Sequence, residues 1–300
     1  MLKKIYRNKF DIINYGLLTV MLFIFIYPVY YVLIASVSEP TEVFGGTVTF
    51  WPKGFTLEGY KYIFETKKIW VGYRNSIIYT FFGVILSLVI TYPAAYAMSK
   101  QRLVGKGFIA ILFVITMYFS GGLLPTYIMV KSIGLVNKPI TLIIMGCFSV
   151  HNMIVARTYF ENSIDNTLYE AAEVDGCSQF SQFFRIALPL AKPSIAVITL
   201  YYAVSEWNGF MTGLIYINKS AYFPLQLVLR SILVQNTSAL AGVSKEYMTA
   251  EMLKDAAEKA KVAAAMKYGV IIIASLPMLI LYPFIQKHFV KGIMIGSLKG

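Results

Sequence analysis

The sequence predicts an all-α membrane protein whose main body is a bundle of six transmembrane helices. Three observations support this prediction: 57% of the 300 residues are hydrophobic, only 14% are charged, and six apolar stretches are long enough to cross a bilayer. A soluble domain of ordinary composition is roughly 25% charged and covers its surface with those groups. This chain has too few of them, and its mean hydropathy is +0.63, so most of its surface must face lipid.

A hydrocarbon core about 30 Å thick requires a helix of about 20 residues. Apolar stretches near that length lie at 15–36, 76–99, 108–130, 140–156, 194–217 and 268–289. The first stretch follows basic residues, yet it exceeds the roughly 7–15 apolar residues of a secretory signal, so we expect an uncleaved helix. Gly121, Gly122 and Pro125 interrupt the third stretch, and we expect a kink there.

Clusters of positive charge predict which side of the membrane each connection occupies. The cations form three groups: Lys3, Lys4, Arg7 and Lys9; Lys100, Arg102 and Lys106; and Lys287, Lys291 and Lys299. All three groups lie on one side of an even-numbered bundle, and the positive-inside rule identifies that side as the cytoplasm. The sequence therefore predicts a cytoplasmic N-terminus at 1–14, a transmembrane domain at 15–290 and a cytoplasmic tail at 291–300.

The net charge of +12 raises a second possibility, because basic proteins often bind nucleic acid. Here the cations lie in short clusters between apolar stretches and not along one basic face. The charge therefore favours membrane topology over a nucleic-acid partner.

The cytoplasmic connection at 161–193 differs from the others because it is acidic and carries helix start and stop signals. Thr167 and Glu170 have the spacing of a capping box, and Asp165 is a second candidate cap, so a helix is expected to begin here. Gly176 is expected to end this helix, because glycine adopts the left-handed conformation at a helix C-terminus without a steric cost.

A second helix is predicted to follow this glycine turn. Ser178 is its candidate N-cap, and Pro189 is expected to bound it. Two short helices joined at a fixed bend would move as a unit if a partner gripped them. The small side chains of Ala171 and Ala172 would let that partner approach closely. The alternative is a helix pair that only holds the fourth and fifth spans together.

One pattern in this connection is specific. Glu170-Ala171-Ala172 is followed after three residues by Gly176, and after nine more by Ile186-Ala187-Leu188-Pro189. At every signature position it resembles the EAA loop in membrane subunits of bacterial ABC importers. The pair Trp207-Asn208 and the ending 289–300 extend the resemblance to maltose-type carbohydrate uptake permeases with six spans, especially oligosaccharide permeases of Gram-positive bacteria. The resemblance implies the type I ABC importer permease fold.

The resemblance also implies roles for the matching positions. The coupling residues would be Glu170, Ala171, Ala172, Gly176, Leu188 and Pro189. The first four would enter a cleft of a cytoplasmic ATPase, and the last two would fix the return into the fifth span. The implied partners are a homologous second permease, an ABC ATPase dimer and an extracellular solute-binding lipoprotein, all at the cytoplasmic membrane of a bacterium.

No cofactor is expected in this chain. It contains no G-x-x-x-x-G-K-[ST] loop that could hold phosphates. The resemblance implies that the partner ATPase binds ATP and Mg, so we expect a transport subunit without its own ATPase site, catalytic residues or metal.

Polar residues within the apolar stretches are candidates for contact with the solute. Glu206, Trp207 and Asn208 lie midway through the fifth stretch, where a carboxylate is costly unless it faces the bundle interior or a wet cavity. An aromatic ring packs against a sugar ring, while carboxylate and amide groups form hydrogen bonds with hydroxyls. Tyr118 and Ser120, beside the glycine pair, are secondary candidates. The alternative is that these polar groups join helices to one another.

The function predicted from the resemblance is ATP-driven import of a sugar, specifically an oligosaccharide, by alternating access. An ion-coupled secondary transporter is the alternative function, but it should show carboxylates or broken inverted repeats at mid-membrane, and few such groups accompany Glu206. A membrane enzyme would need clustered catalytic residues. The two histidines of the chain, His151 and His288, form no HExxH motif and no recognisable Ser/His/Asp grouping.

Overall fold

The computed structural model describes residues 2–232, 262, 264–283 and 286, and these residues form helices joined by turns, without a strand. This confirms the all-α class. The chain divides into two compact units, one made of 1–67 and 229–275 and the other of 68–228 and 276–300.

Besides a short 3-10 helix at Ser220–Tyr222, the described residues form fourteen helical segments. In chain order they are α1 (Leu2–Ser36), α2 (Pro40–Phe44), α3 (Glu58–Glu65), α4 (Lys67–Ser99), α5 (Lys106–Tyr118), α6 (Leu123–Ser132), α7 (Ile140–Ile144), α8 (Val150–Ser163), α9 (Asn166–Val174), α10 (Gln179–Leu190), α11 (Lys192–Asn208), α12 (Met211–Tyr216), α13 (225–232) and α14 (Ala264–Pro283). Part of α10, Phe183–Ala187, has π-helical bonding.

The first unit has a small core where the end of α1 meets α2. Its buried side chains are Ile34, Ala35, Val43 and Val48. In the same unit, Gly59 of α3 lies against α14 so closely that a Cβ atom would collide with the backbone of Ala265. The absence of a side chain at this position therefore allows the two helices to cross in contact.

The second unit has a larger core in which α4 is the shared element. Tyr92 and Tyr96 of α4 are buried together with side chains of α8 and α11. The Thr91 and Tyr202 hydroxyls are 2.7 Å apart, and the Tyr92 and Ser194 hydroxyls are 3.0 Å apart. These hydrogen bonds join α4 to α11 at two neighbouring positions.

Three single helices in the described residues are long and apolar enough to cross a bilayer: Lys9–Ser36, Lys67–Ser99 and Ala264–Pro283. They overlap the first, second and sixth predicted spans. Two bent pairs also meet this criterion when each is counted as one span: α5 with α6, bent by 108°, and α10 with α11, bent by 79°. The described structure thus contains three to five candidate spans, and six remains a prediction.

The third predicted span, 108–130, is interrupted as expected. Phe119–Gly122 separates α5 from α6, and Gly122 has a φ of 85°, a conformation that favours glycine. Pro125 falls in the first turn of α6, where its missing N–H costs no intrahelical hydrogen bond. The resulting bend is far sharper than a kink within one continuous helix.

The prediction of one continuous helix over 140–156 is wrong. Helix α7 ends at Ile144 and α8 begins at Val150. Ser149 is extended (φ −121°, ψ 120°) and its hydroxyl accepts the N–H of Asn152 at 3.4 Å, so it caps a new helix. The fifth stretch, 194–217, is also divided, because Gly209 and Phe210 separate α11 from α12.

Several sequence predictions fall outside the described residues. They include the cytoplasmic tail at 291–300 and the ending 289–300 that contributes to the family resemblance. The part of the sixth predicted span after Pro283 also lies outside the described residues, apart from residue 286.

Candidate functional site

The predicted coupling connection is a helix, a glycine turn and a second helix. Asp165 is the N-cap of α9, and its carboxylate accepts the N–H of Thr167 at 3.0 Å. Gly176 has a φ of 73°, the left-handed conformation predicted for the residue that ends α9. Ser178 caps α10, since its hydroxyl accepts the N–H of Ser181 at 3.3 Å. The local signals in the sequence therefore identified this shape correctly.

Two details of this connection differ from the prediction. Thr167 lies within the first turn of α9 and is not the cap, because Asp165 has the extended backbone that a cap requires. Pro189 does not bound the second helix, which continues to Leu190. The π-helical stretch that ends at Ala187 shifts the backbone hydrogen bonds just before the proline, and such shifts accommodate its missing donor.

The two faces of α9 have different surroundings. Tyr169 and Ala172 are buried in the second unit, whereas Glu170 and Ala171 are exposed and Val174 is 88% exposed. Residues three apart share a helix face, so Tyr169 and Ala172 attach the helix to the bundle. Of the two alanines predicted to admit a partner, only Ala171 is on the outer surface.

The remaining predicted coupling residues lie along the same connection. Gly176 and Pro189 are exposed, and Leu188 is half-buried against the core of the second unit. The bend of 79° between α10 and α11 comes directly after Leu188 and Pro189, at Ala191. This is the place where the chain turns into the fifth predicted span.

A cavity of about 150 Å³ lies in the same unit among α4, α7, α11 and α12. Its polar lining comes from Ser76, Tyr79, Ser205, Glu206 and Thr212. At roughly 30 Å³ per water molecule, the cavity holds about five waters, or part of a sugar ring. Its polar groups give ordered water several hydrogen-bond partners.

Glu206 enters this cavity between two glycines. A Cβ atom on Gly146 would collide with the Glu206 Oε1 atom, and one on Gly83 would lie 3.1 Å from its carboxyl carbon. Within the described residues, no cation and no hydrogen-bond donor engages the Glu206 carboxylate. A carboxylate without a partner is costly in an apolar interior. Because no described group engages it, the Glu206 carboxylate is available to a hydrogen-bond donor that enters the cavity.

The other predicted solute contacts are not brought together with Glu206. Trp207 is buried, and its ring packs edge-on against Tyr73 with centroids 5.6 Å apart. Asn208 is exposed at the end of α11, outside the cavity lining. Tyr118 and Ser120 are exposed at the break between α5 and α6, also outside that lining. Among the five candidates, only Glu206 lines the cavity.

Sequence reasoning missed the groups that complete this cavity. Ser76 accepts the N–H of Leu225 at 2.8 Å, and Tyr79 donates to the carbonyl of Tyr222 at 3.1 Å. These bonds attach the first half of α4 to the start of α13 and to the turn before it. A polar side chain every three or four residues in an apolar stretch was the available signal, since this spacing marks one helix face.

The chain belongs to the family of binding-protein-dependent transport system inner membrane components, whose model matches residues 69–295. This confirms the predicted family and identifies a permease subunit of a membrane importer. The matched range includes both the predicted coupling connection and the cavity.

Two similar proteins are both from Bacillus subtilis (strain 168). The polygalacturonan/rhamnogalacturonan transport system permease protein YtcP is 37% identical over 295 residues, covering 98% of this chain and all of that protein. Protein LplC is 38% identical over 291 residues, covering 97% of this chain and 95% of that protein. A solved bacterial ABC transporter involved in importing the acidic polysaccharide alginate has a chain with 30% identity and a TM-score of 0.81, covering 94% of this chain and 97% of its own. The fold is therefore that of an ABC importer permease.

The N-cap of α9 can be tested by comparing two substitutions. Asp165→Ala should lower the free energy of unfolding by about 1 kcal/mol, because it removes the acceptor for the Thr167 N–H. Thr167→Ala keeps that acceptor and should change stability by less than about 0.5 kcal/mol. Both are measured by denaturant unfolding of the purified protein in detergent. A larger loss for Thr167→Ala would mean that the cap lies at Thr167.

The position of the Glu206 carboxylate can be tested by a double-mutant cycle. Gly146→Ala should cost about 1 kcal/mol of stability, because the new methyl group forces the Glu206 side chain from its rotamer. In a Glu206→Ala background this cost should largely disappear, since the colliding atom is gone. Gly107→Ala is the control, because a Cβ there meets nothing within 4 Å. Additive effects of the two substitutions would place the carboxylate elsewhere.

Proposed function

We propose that this chain is a six-span permease subunit of an ABC importer that carries an oligosaccharide across a bacterial cytoplasmic membrane. The observation that supports this most directly is the EAA pattern on a capped helix–glycine turn–helix in a chain of the permease family. Both termini would be cytoplasmic, with a membrane domain at 15–290 and flanking segments at 1–14 and 291–300.

Six crossings remain compatible with the breaks in the apolar stretches. The bend between α5 and α6, the turn between α7 and α8, and the break at Gly209 would each interrupt one crossing. Irregular backbone is tolerated at membrane depth where protein covers it or where it borders a wet cavity. Gly146 and Gly209 both line the cavity, which supports this arrangement for the fourth and fifth crossings.

The exposed face of α9 would be the surface that a cytoplasmic ATPase grips. Glu170 and Ala171 point away from the bundle, while Tyr169 and Ala172 hold the helix to it. Two such ATPases would bind ATP and Mg, and they would hydrolyse the ATP. Each would receive the coupling helix of one permease, and the second permease would be homologous to this chain.

Transport would follow from alternating access. A ligand shifts a conformational equilibrium only through its different affinities for the two states. ATP would therefore favour the closed ATPase pair, the coupling helices would follow it, and the permeases would open outward to accept solute from an external binding protein. Hydrolysis would return the solute path to its inward-facing state.

An oligosaccharide is the solute class that the relatives support. YtcP is named for polygalacturonan and rhamnogalacturonan transport, and the solved neighbour imports alginate. A cavity lined by Glu206, hydroxyl groups and an aromatic ring suits a sugar, because sugar hydroxyls donate to carboxylates and accept from Ser, Thr and Tyr. Glu206 would be the principal polar contact on this chain.

The function is tested with the complex isolated from membranes together with its partners. Co-isolation of an ATPase and a second permease, with ATP-dependent uptake into proteoliposomes, is the expected result. The probes are oligogalacturonides and arabino-oligosaccharides, each presented with the binding protein. Uptake that persists without ATP and follows an ion gradient would instead indicate a secondary carrier that uses Glu206.

Ala171→Arg should abolish solute-stimulated ATPase activity while the permease still folds. The exposed alanine is replaced by a long charged side chain, and this side chain would hold a close-fitting ATPase surface away from α9. ATPase activity and co-isolation of the ATPase are measured together, with Ala171→Ser as the control of similar size. Normal stimulation in the arginine variant would exclude this face of α9 as the docking surface.

Glu206→Gln should reduce sugar uptake about five- to tenfold, because an amide accepts weaker hydrogen bonds than a carboxylate. The substitution preserves shape, so assembly and basal ATPase activity should not change. Uptake is measured against the concentration of sugar-loaded binding protein, with Val204→Ala as a neighbouring control, because Val204 lies outside the cavity lining. Unchanged uptake by the glutamine variant would assign Glu206 a purely structural role.

A further inference from the structure

We propose that Lys100 is a positioning residue that attaches the coupling helix α9 to the end of α4, so that movement of α9 is delivered directly to the second span. This inference rests on the proposed function, in which an ATPase moves α9. The link consists of the Lys100 ammonium, the ring of Tyr169 on α9 and the ring of Tyr96 on α4, and is called the Lys100 contact below.

The geometry of the Lys100 contact joins two helices that are far apart in sequence. Lys100 directly follows the last residue of α4, and its Nζ atom lies 3.2 Å from the Tyr169 ring centroid and 4.5 Å from that of Tyr96. A cation over an aromatic face is attracted by the ring quadrupole, more strongly where water is excluded. Lys100 is half-buried and Tyr169 is buried, so this contact is partly shielded from solvent.

Beneath the lysine, one side chain of α4 touches three other helices. The Tyr96 ring centroid is 5.7 Å from that of Phe160 on α8, 6.1 Å from that of Tyr169 on α9 and 5.1 Å from that of Phe183 on α10. Packed aromatic rings move together more readily than a chain connection that bends. The route from α9 along the chain passes the Gly176 turn and the 79° bend before α11, so the direct contact with α4 is the stiffer connection.

The ring of Tyr169, and not its hydroxyl, provides this contact. The hydroxyl oxygen is buried and has no hydrogen-bond partner in the described part of the chain. A buried hydroxyl without a partner costs stability, so hydrogen bonding does not explain a tyrosine here. Tyr169→Phe therefore keeps the proposed link, whereas Tyr169→Leu removes it.

A second cation nearby provides a matched control. Arg102 forms an ion pair with Glu173 of α9, with Nη1 and Oε2 3.1 Å apart, but its side chain is 89% exposed. Exposed ion pairs contribute little, because water and salt screen them. Lys100 and Arg102 thus both reach α9, and only Lys100 does so from a shielded position.

The charge on Lys100 is adjustable within an accessible pH range. Burial lowers the pKa of Lys100 to about 8, and the neighbouring Glu173 carboxylate opposes this shift. The other ionisable groups facing the lysine are Tyr96 and Tyr169, with Cys177 in the following turn. Burial raises the pKa of Tyr169 to about 12, so this ring stays neutral while the lysine loses its proton.

The sign of the pH effect follows from this shift. As pH rises through about 8, the ammonium becomes an amine and its attraction to the Tyr169 ring is lost, so coupling should weaken. Because the pKa is lowered in the folded protein, charged Lys100 costs stability at neutral pH. This cost is removed as the pH rises from the pKa of Lys100 in the folded protein toward its pKa in the unfolded chain. A role in stability alone therefore predicts a trend opposite to that of coupling.

The test uses the assembled complex with its binding protein, carrying Cys177→Ser because that thiol is also ionisable. The measured quantity is the ratio of ATPase activity with sugar-loaded binding protein to activity without it, using the two sugar probes named above. Lys100→Met should lower this ratio about tenfold at pH 7, and Lys100→Arg should restore it. Arg102→Met should change it by less than about twofold.

The complex with Lys100 should lose ATPase stimulation by the sugar-loaded binding protein between pH 7 and 9. The complex with Lys100→Arg should show no corresponding loss, since guanidinium stays charged. This comparison requires no destabilised variant. A complex with Lys100 that shows no stimulation by either probe would contradict the proposed function. Equal stimulation of complexes with lysine and methionine at position 100 would overturn the proposed role of the Lys100 contact. The same pH profile with lysine and arginine would also overturn it, and neither result would contradict the proposed function.

Discussion

Helix α4 holds the second unit together through polar and aromatic contacts, and the placement of both candidate sites depends on it. Lipid tails are as apolar as leucine, so hydrophobic burial does little to associate helices within a bilayer. Hydrogen bonds from Thr91 and Tyr92 to α11, and the rings around Tyr96, provide the specific contacts instead. Without them, the apolar faces of these helices could pack in many orientations of similar energy.

Helix α4 passes the cavity in its first half and ends beside the predicted coupling connection. At about 1.5 Å per residue, its 33 residues extend about 50 Å. Ser76 and Tyr79, in the first half of the helix, line the cavity, and Lys100 follows its last turn beside α9. One helix thus extends from the cavity to the predicted coupling connection.

Two breaks in the apolar helices border the cavity. The turn between α7 and α8 includes Gly146, whose missing side chain leaves room for the Glu206 carboxylate. The break between α11 and α12 begins at Gly209, another residue of the cavity lining. Backbone groups freed by such breaks must find partners or water within the protein, and a polar cavity supplies both.

The sequence by itself determined the all-α membrane class and the helix–glycine turn–helix connection, and it singled out Glu206 as a carboxylate within an apolar stretch. These features depend on composition, on local capping preferences and on the high cost of a carboxylate in lipid. Only the tertiary structure decided that Ala172 is buried while Ala171 is exposed, that Trp207 packs against Tyr73, and that the fourth stretch is broken. The apolar residues of such a stretch lie on all sides of the helix, so hydrophobic periodicity alone does not distinguish a packed face from a lipid-facing one. That choice depends on contacts between residues distant in the chain.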